Sequence, residues 1–146
     1  MPNARDILST KAHPARLISI LESATVLEAC RRMNEHHVGA LVVLDEADGL
    51  SGLFSERDVL TRVVAPERSP ASTLVRDVMT TAVIVAAPDT RLPELRAIMR
   101  DKRVRHIPIM DEGHCLGLIS IGDVNAAESE DMALTIRYLE QYITPA

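Results

Sequence analysis

One short pattern occurs twice in the chain and combines residue types that could bind a ligand. It reads glycine, two apolar residues, serine, two variable residues and aspartate, first at Gly52–Asp58 and again at Gly117–Asp123. A carboxylate can accept two hydrogen bonds from a vicinal diol such as that of ribose, and the free N–H groups at a helix start favour phosphate oxygens. A serine followed three residues later by an acid is also an ordinary capping box, so one copy alone would indicate only a helix start.

The elements that must position this pattern are duplicated as well. Residues 25–44 align without gaps on residues 91–110, and the identical residues fall in the same order. Each copy predicts a short strand, an amphipathic helix, a hairpin of two strands and a second helix. One such unit leaves a face of its sheet uncovered. We therefore predict an α+β fold in which two tandem βαββα repeats, residues 5–65 and 74–128, pack sheet to sheet with pseudo-two-fold symmetry.

Several element bounds follow from the apolar runs. The first strands are predicted at Leu17–Ile20 and Ala82–Ala86, and the second helices at about Glu56–Val64 and Ile121–Ala127. The second strand and the third strand of each repeat form a hairpin around turn residues. The segment Ala65–Thr73 contains two prolines and is predicted to link the repeats.

The C-terminal part, residues 129–146, is predicted to add one more helix. Its apolar residues have the spacing of a single stripe along a helix. A stripe this regular docks either on the rest of the module or on a second copy of the chain; we favour the second copy and expect a homodimer. The stripe consists of Met132, Ile136, Leu139 and Ile143.

The whole arrangement resembles a CBS-domain pair, also called a Bateman module. In repeat one the resemblance lies in Val38–Val43 and Gly52–Asp58. In repeat two it lies in Asp77–Thr80, Val104–Ile109 and Gly117–Asp123. It covers roughly residues 5–127, and the combination of motifs is more specific than any one of them.

The resemblance implies two clefts between the repeats that bind an adenosine-containing ligand: AMP, ADP, ATP, NAD(H) or S-adenosylmethionine. It assigns the ribose-binding carboxylates to Asp58 and Asp123, and their neighbouring hydroxyls to Ser55 and Ser120. The ligand would be a regulatory adenine nucleotide, and no cofactor would be required. The two clefts are not expected to be equivalent, because the basic pair Arg105 and His106 of repeat two has no basic counterpart at the matching positions of repeat one.

The remaining implied contacts are with the phosphate and the base. Arg105 and His106 would meet phosphate in repeat two, whereas repeat one offers Arg57, whose match is Gly122. The base would be held by backbone and apolar side chains near the first and second strands. These are Ile20, Ala40 and Phe54 in repeat one, and Thr80, Ala82, Ile107 and Ile119 in repeat two.

Composition excludes several other classes of protein. The formal net charge of -5 argues against a nucleic-acid binder. Aromatic residues make up 2% of the chain, so apolar contacts with a base would be aliphatic. No apolar run is long enough for a membrane helix, and the charged N-terminus does not resemble a secretory signal, so we expect a cytoplasmic protein.

Catalysis and metal binding are not supported by the motifs. The pair His36–His37 lacks further ligands at suitable spacing, and Cys30 and Cys115 are interpreted as ordinary buried thiols. No nucleophile–base arrangement is present, so the chain is not expected to be an enzyme. It would bind without turnover and signal to an unknown target protein. The alternative is a ligand-free structural dimerisation module.

Overall fold

A computed structural model describes residues 1–10 and 17–143, and both predicted repeats are present in it. Repeat one contains a three-stranded sheet of order β1-β2-β3, in which β1 is parallel and β3 antiparallel to β2. Its elements begin with a short leading helix, α1. They are α1 Ala4–Ser9, β1 Ser19–Leu21, α2 Val26–His36, β2 Ala40–Leu44 and β3 Leu50–Ser55.

After β3 the chain forms one α-helical turn, α3, that continues in π-helical form, and then enters repeat two through a second leading helix, α4. Strands β4 and β5 form an antiparallel sheet of two strands. The elements are α3 Glu56–Asp58, the π-helix Val59–Val64, α4 Val75–Val78, α5 Leu92–Lys102, β4 His106–Asp111, β5 His114–Ser120 and α6 Ile121–Ile143.

The two long repeat helices begin differently and end alike. Thr25 and Glu28 form a reciprocal capping box at the start of α2, whereas α5 starts with Pro93 in its first turn, where a missing N–H costs little. Both helices end at a residue with left-handed backbone, His37 with φ 54° and Arg103 with φ 55°. These residues occupy matching positions, so both helices release the chain toward the next strand in the same direction.

The strand predicted at Ala82–Ala86 is not formed, and only Ala86 pairs, in a parallel bridge with Ile109. Ala86 donates to the Pro108 carbonyl and accepts from the Met110 N–H. Extending this ladder by two residues would require an N–H from Pro108, which proline lacks. The matching residue in repeat one is Val42, which has its N–H, and there β1 forms, at Ser19–Leu21.

The break predicted between Ile121–Ala127 and a separate C-terminal helix is also wrong. Residues Ile121–Ile143 form one continuous helix, α6. The segment that should have separated the two helices contains Ala126, Ala127 and Glu128, which favour helix, and it has neither glycine nor proline. The prediction of a helix at about Glu56–Val64 has the right span, but residues 59–64 are π-helical.

The leading helices are exchanged between the repeats. Ala4 and Ile7 of α1 lie in the core of repeat two, together with Leu95 and Ile119. The backbone N–H of Ala4 donates to the Thr90 carbonyl at 2.8 Å. Each repeat therefore completes its core with a helix that the sequence places before the other repeat.

Helix α4 makes the matching contacts in repeat one. Val75 and Val78 lie in that core with Leu41 and Phe54. The Val75 N–H donates to the Ala24 carbonyl, also at 2.8 Å, so the exchange is reciprocal. The strands β2 and β5 bring the two sheets into contact between these cores.

Replacing Ile7 with alanine tests the exchange. Ile7 is 2% exposed in the core of repeat two, so Ile7→Ala should lower the free energy of unfolding by about 2–5 kcal/mol, measured by urea denaturation. The control is Arg5→Ala, which removes an exposed ion pair with Asp111 from the same helix and should cost about 1 kcal/mol or less. Equal losses in the two variants would contradict the packing of α1 described here.

Candidate ligand-binding site

The repeated pattern places its serine and aspartate at the start of a helix in both repeats. In repeat one, the Ser55 N–H donates to Asp58 Oδ2 at 3.0 Å and the Asp58 N–H donates to Ser55 Oγ at 3.4 Å. In repeat two, the Ser120 N–H donates to Asp123 Oδ2 at 2.8 Å and the Asp123 N–H donates to Ser120 Oγ at 3.1 Å. The capping-box interpretation is therefore correct for both copies, and it fixes each carboxylate in the first turn.

Asp58 has further partners from outside its own cap. It is 5% exposed, and the Thr80 hydroxyl donates to its Oδ1 at 3.1 Å and lies 3.4 Å from its Oδ2. Arg62 Nε lies 3.7 Å from Oδ1. These hydrogen bonds and the nearby guanidinium give the buried carboxylate polar partners, which offset the cost of removing it from water.

Thr80 belongs to the segment that enters repeat two, so this cluster lies between the repeats. Thr80 and Leu53 exchange two backbone hydrogen bonds, at 2.8 and 2.9 Å, in an isolated antiparallel bridge. The bridge joins β3 of repeat one to the chain just after α4. A molecule that contacts Asp58 and Thr80 would therefore touch both repeats.

The basic residues of repeat two lie close to the start of α6. The Ile121 N–H donates to the Arg105 carbonyl at 2.8 Å, and His106 is paired with Ser120 across the β4–β5 ladder. Arg105 is exposed and His106 is half-buried. The matching contact in repeat one runs from the Glu56 N–H to the Gly39 carbonyl, where no basic side chain is present.

The other predicted ligand contacts differ in accessibility. Ile107 and Ile119 are opposite each other in the β4–β5 ladder and fully buried in the core of repeat two. Ala40 lies beside Ser55 in the β2–β3 ladder and is also buried. Ile20 is half-buried against the core of repeat one, which includes the fully buried Phe54, whereas Arg57 and Ala82 are exposed.

Sequence reasoning missed Arg62. This side chain pairs with Asp58, and its Nη1 donates to the Met79 carbonyl at 2.8 Å and to the Val78 carbonyl at 3.3 Å. The available signal was its position four residues after Asp58, where a helix brings opposite charges together. The contact with the end of α4 depends on the exchange of leading helices, which the motif does not reveal.

Metal and thiol chemistry have no supporting geometry in the part of the chain that the structure describes. No group of three or more His, Cys, Asp or Glu residues among residues 1–10 and 17–143 could hold a metal ion. Cys30 and Cys115 are free and half-buried. Burial raises the pKa of both thiols, although for Cys115 a hydrogen bond with Gly117 partly opposes the effect, so the reactive thiolate is disfavoured.

The duplicated α+β units, each with a capped serine–aspartate pair at its second helix, define a tandem-repeat α+β fold. The family model for the CBS domain matches residues 4–65 and 75–130, so the chain belongs to the CBS-domain family and carries two tandem copies. Among curated relatives, CBSX3, a mitochondrial CBS-domain protein of Arabidopsis thaliana, is 37% identical over 123 residues. The Bacillus subtilis protein YhcV is 30% identical over 139 residues.

Coverage differs between these relatives. The alignment with YhcV includes 92% of this chain and 94% of YhcV. The alignment with CBSX3 includes 82% of this chain but 60% of CBSX3. The alignment with the Methanopyrus kandleri protein MK0525 includes 71% of this chain and 54% of MK0525. The chain thus spans little more than half the length of the first curated relatives it matches.

Solved structures share the complete fold. A CBS-domain protein from Burkholderia ambifaria, named for a suspected role in signal transduction, superposes with a TM-score of 0.82 at 34% identity, over 88% of this chain and 95% of that one. The CBS-domain structure NE2398 gives a TM-score of 0.80 at 27% identity, over 86% and 96%. The duplicated fold predicted from the sequence is thereby confirmed.

Glycine at the start of each pattern gives room for the exchanged leading helix. A Cβ on Gly52 would lie 2.5 Å from the Thr80 carbonyl oxygen, whereas a Cβ on Gly117 would lie 2.7 Å from a terminal methyl of Leu8. The first contact is with backbone, which cannot move without breaking the Leu53–Thr80 bridge. The second contact is with a side chain that can rotate.

We therefore predict unequal costs for Gly52→Ala and Gly117→Ala. Gly52→Ala should lower the free energy of unfolding by about 2–3 kcal/mol, and Gly117→Ala by about 1 kcal/mol or less, because overpacking is costly where the neighbour is rigid. Urea denaturation of the two variants beside the parent measures the difference. A larger loss in Gly117→Ala would contradict the close approach of the Thr80 backbone to Gly52.

Proposed function

We propose that the chain is a regulatory module that binds an adenosine-containing ligand between its CBS repeats and signals its occupancy to a partner protein. The ligand class is AMP, ADP or ATP, with NAD(H) and S-adenosylmethionine in the same class. The carrying observation is that Asp58 of repeat one meets Thr80 of the segment entering repeat two. A ligand held by that carboxylate would contact both repeats.

The chemistry of the two clefts supports a nucleoside rather than a purely apolar ligand. Asp58 and Asp123 each offer a carboxylate to a ribose diol, and Ser55 and Ser120 each add a hydroxyl at a helix start. Phosphate would meet Arg105 and His106 in repeat two, and Arg57 in repeat one. Because these basic residues differ, the clefts should differ in ligand or affinity.

The base would lie against small or aliphatic side chains. Ile20 and Ala82 keep some exposed surface, whereas Ala40, Phe54, Ile107 and Ile119 are buried and would shape the cleft from behind. Aliphatic contacts of this kind would hold a base by burial of apolar surface.

Signalling would follow from differential binding. A ligand that binds one relative orientation of the repeats more tightly shifts the population toward that orientation, and a partner reads the change. The mechanism needs no turnover, and the target protein is not identified by these residues. A cytoplasmic location and the absence of nucleic-acid binding stay predictions; the mitochondrial location is named for CBSX3 itself.

A second candidate function, a ligand-free structural dimerisation module, is favoured by α6. Met132, Ile136, Leu139 and Ile143 are 49–73% exposed, and their spacing of four, three and four residues is that of the core positions of a helix pair. On the same side of α6, Asn125 and Glu128 are bonded by Arg96 of α5. The exposed stripe begins at Met132, just after the part of α6 that α5 contacts. We infer that the stripe packs against the same stripe on α6 of a second copy of the chain.

Thermal unfolding with AMP, ADP, ATP, NAD, NADH and S-adenosylmethionine tests ligand sensing. A ligand at a hundredfold excess over its Kd should add about 2.7 kcal/mol to the free energy of unfolding, because it binds only the folded chain. The midpoint should then rise by about 5–10 °C. Asp58→Asn and Asp123→Asn should each remove the contribution of one cleft, whereas Asp89→Asn, an exposed carboxylate in a loop, should not.

The panel also separates the two candidate functions. A shift that Asp58→Asn or Asp123→Asn abolishes would establish the sensor and identify the working cleft. No shift with any of these ligands would contradict nucleotide sensing and leave dimerisation as the better account.

Charge placed in the α6 stripe should weaken the homodimer. Ile136→Glu would bury a carboxylate between two helices, so the dimerisation constant should fall by about a hundredfold or more, measured by sedimentation equilibrium. Gln141→Glu adds the same charge on the opposite side of α6 and should leave the constant unchanged. A parent chain that sediments as a monomer at micromolar concentration would refute the homodimer.

A further inference from the structure

Arg62 links the buried carboxylate of repeat one to the end of a helix that leads into repeat two. Its Nε faces Asp58 Oδ1, and its Nη1 donates to the carbonyls of Val78 and Met79. Carbonyls at a helix end have no donor within the helix, so a guanidinium there satisfies them while keeping its charge beside the carboxylate. About half of the Arg62 side chain, 49%, remains exposed to solvent.

Three donor groups already hydrogen-bond Asp58, and a guanidinium faces it. A carboxylate has about four lone-pair sites, and its contacts here are the Ser55 N–H, the Ser55 hydroxyl, the Thr80 hydroxyl and Arg62 Nε. The two Ser55 contacts belong to the cap that starts α3. A diol that donates two hydrogen bonds to Asp58 must therefore compete with the two partners that do not belong to the cap: the Thr80 hydroxyl, which is hydrogen-bonded to Oδ1, and Arg62, whose guanidinium faces Oδ1 as an ion pair at 3.7 Å.

We propose that Thr80 and Arg62 form a latch on Asp58, and that a ligand's vicinal diol binds the repeat-one cleft by opening it. This inference rests on the proposed function, because it specifies how that site is regulated. The ligand replaces the Thr80 hydroxyl as a hydrogen-bond donor to the carboxylate and displaces the Arg62 guanidinium from its ion pair with Oδ1. Opening the latch leaves the Leu53–Thr80 bridge in place between β3 and the chain after α4, without a side-chain hydrogen bond from Thr80 to Asp58 beside it.

The two latch residues are not repeated at the matching positions of repeat two. The position that matches Arg62 in repeat two is Ala127, which packs against the core of that repeat. The position that matches Thr80 is Ser9, whose hydroxyl donates to the Asp6 carbonyl at 2.7 Å within α1. Occupancy of the repeat-one cleft therefore reaches the leading segment of repeat two through side chains that differ from those at the matching positions of repeat two.

Hydrogen exchange of the ligand-free chain tests the latch without any nucleotide. Thr80→Val and Arg62→Gln should each speed exchange of the Leu53 and Thr80 amides by about fivefold or more, since the bridge loses a side-chain tie beside it. Thr61→Val removes an exposed hydroxyl from the π-helix, and Arg68→Gln removes an exposed guanidinium. These two controls should leave both amides unchanged. Unchanged exchange in Thr80→Val and Arg62→Gln would overturn the latch.

Binding of AMP to an Asp123→Asn background tests the competition, since repeat one is then the cleft with an intact carboxylate. Thr80→Val should bind AMP about three- to tenfold more tightly, because the diol no longer displaces a hydroxyl. AMP should also speed exchange of the Leu53 amide. Weaker binding by Thr80→Val would make the hydroxyl a ligand contact and overturn the competition. If AMP and the other nucleotides bind no variant, the proposed function fails, while the ligand-free exchange still decides whether the latch exists.

Discussion

The fold depends on one exchange: each repeat closes its core with the leading helix of the other repeat. The residues of α1 fill the core built by α5, β4 and β5, and those of α4 fill the core built by α2, β2 and β3. Matching hydrogen bonds, Ala4 to Thr90 and Val75 to Ala24, hold the two helices in equivalent positions. Apolar burial drives the packing, and these directional bonds fix its register. The placement of the Asp58 cluster follows, because α4 brings Thr80 to the edge of β3.

Within this symmetric frame, single residues make the two halves different. Pro108 removes one donor from β4, and the strand present in repeat one is reduced to a single bridge in repeat two. Arg62 and its match Ala127 differ in the same way: one side chain reaches across to α4, and the other packs into a core. The basic residues Arg105 and His106 occur in repeat two alone among matched positions. Duplication thus provides two similar frames, on which side chains create two different sites.

Much of the frame was predictable because it depends on local patterns. The alternation of apolar residues, the hairpin turns and the capping boxes at Ser55 and Ser120 are each encoded within about ten residues, and the predicted repeats are confirmed by the family match. The strand predicted at Ala82–Ala86 does not form, and this could not be foreseen from the segment itself. Its pairing depends on the N–H groups of the neighbouring strand, where Pro108, a residue distant in sequence, has none. The uninterrupted α6 was missed for another reason. The second helix of repeat two and the C-terminal helix were predicted as separate elements, but helix continuity depends on backbone preference, and the residues between the two predicted helices favour helix.

The candidate site was predictable in its parts and not in its assembly. Asp58 and Ser55 are recognised from the pattern, but their contacts with Thr80 and Arg62 exist because α4 lies on the other repeat. No spacing within one repeat encodes that juxtaposition.

The exchange of leading helices also bears on how such a chain could arise. In this chain, each leading helix packs on the other repeat, and each core has an open edge that the other repeat's leading helix covers. Two identical copies of one repeat could each bury the leading helix of the other, as in a domain-swapped dimer. In the present chain, the linker Ala65–Thr73 joins the two repeats that exchange their leading helices into one molecule. Once joined, the two halves are encoded separately, so each could acquire side chains that a symmetric dimer would have to duplicate.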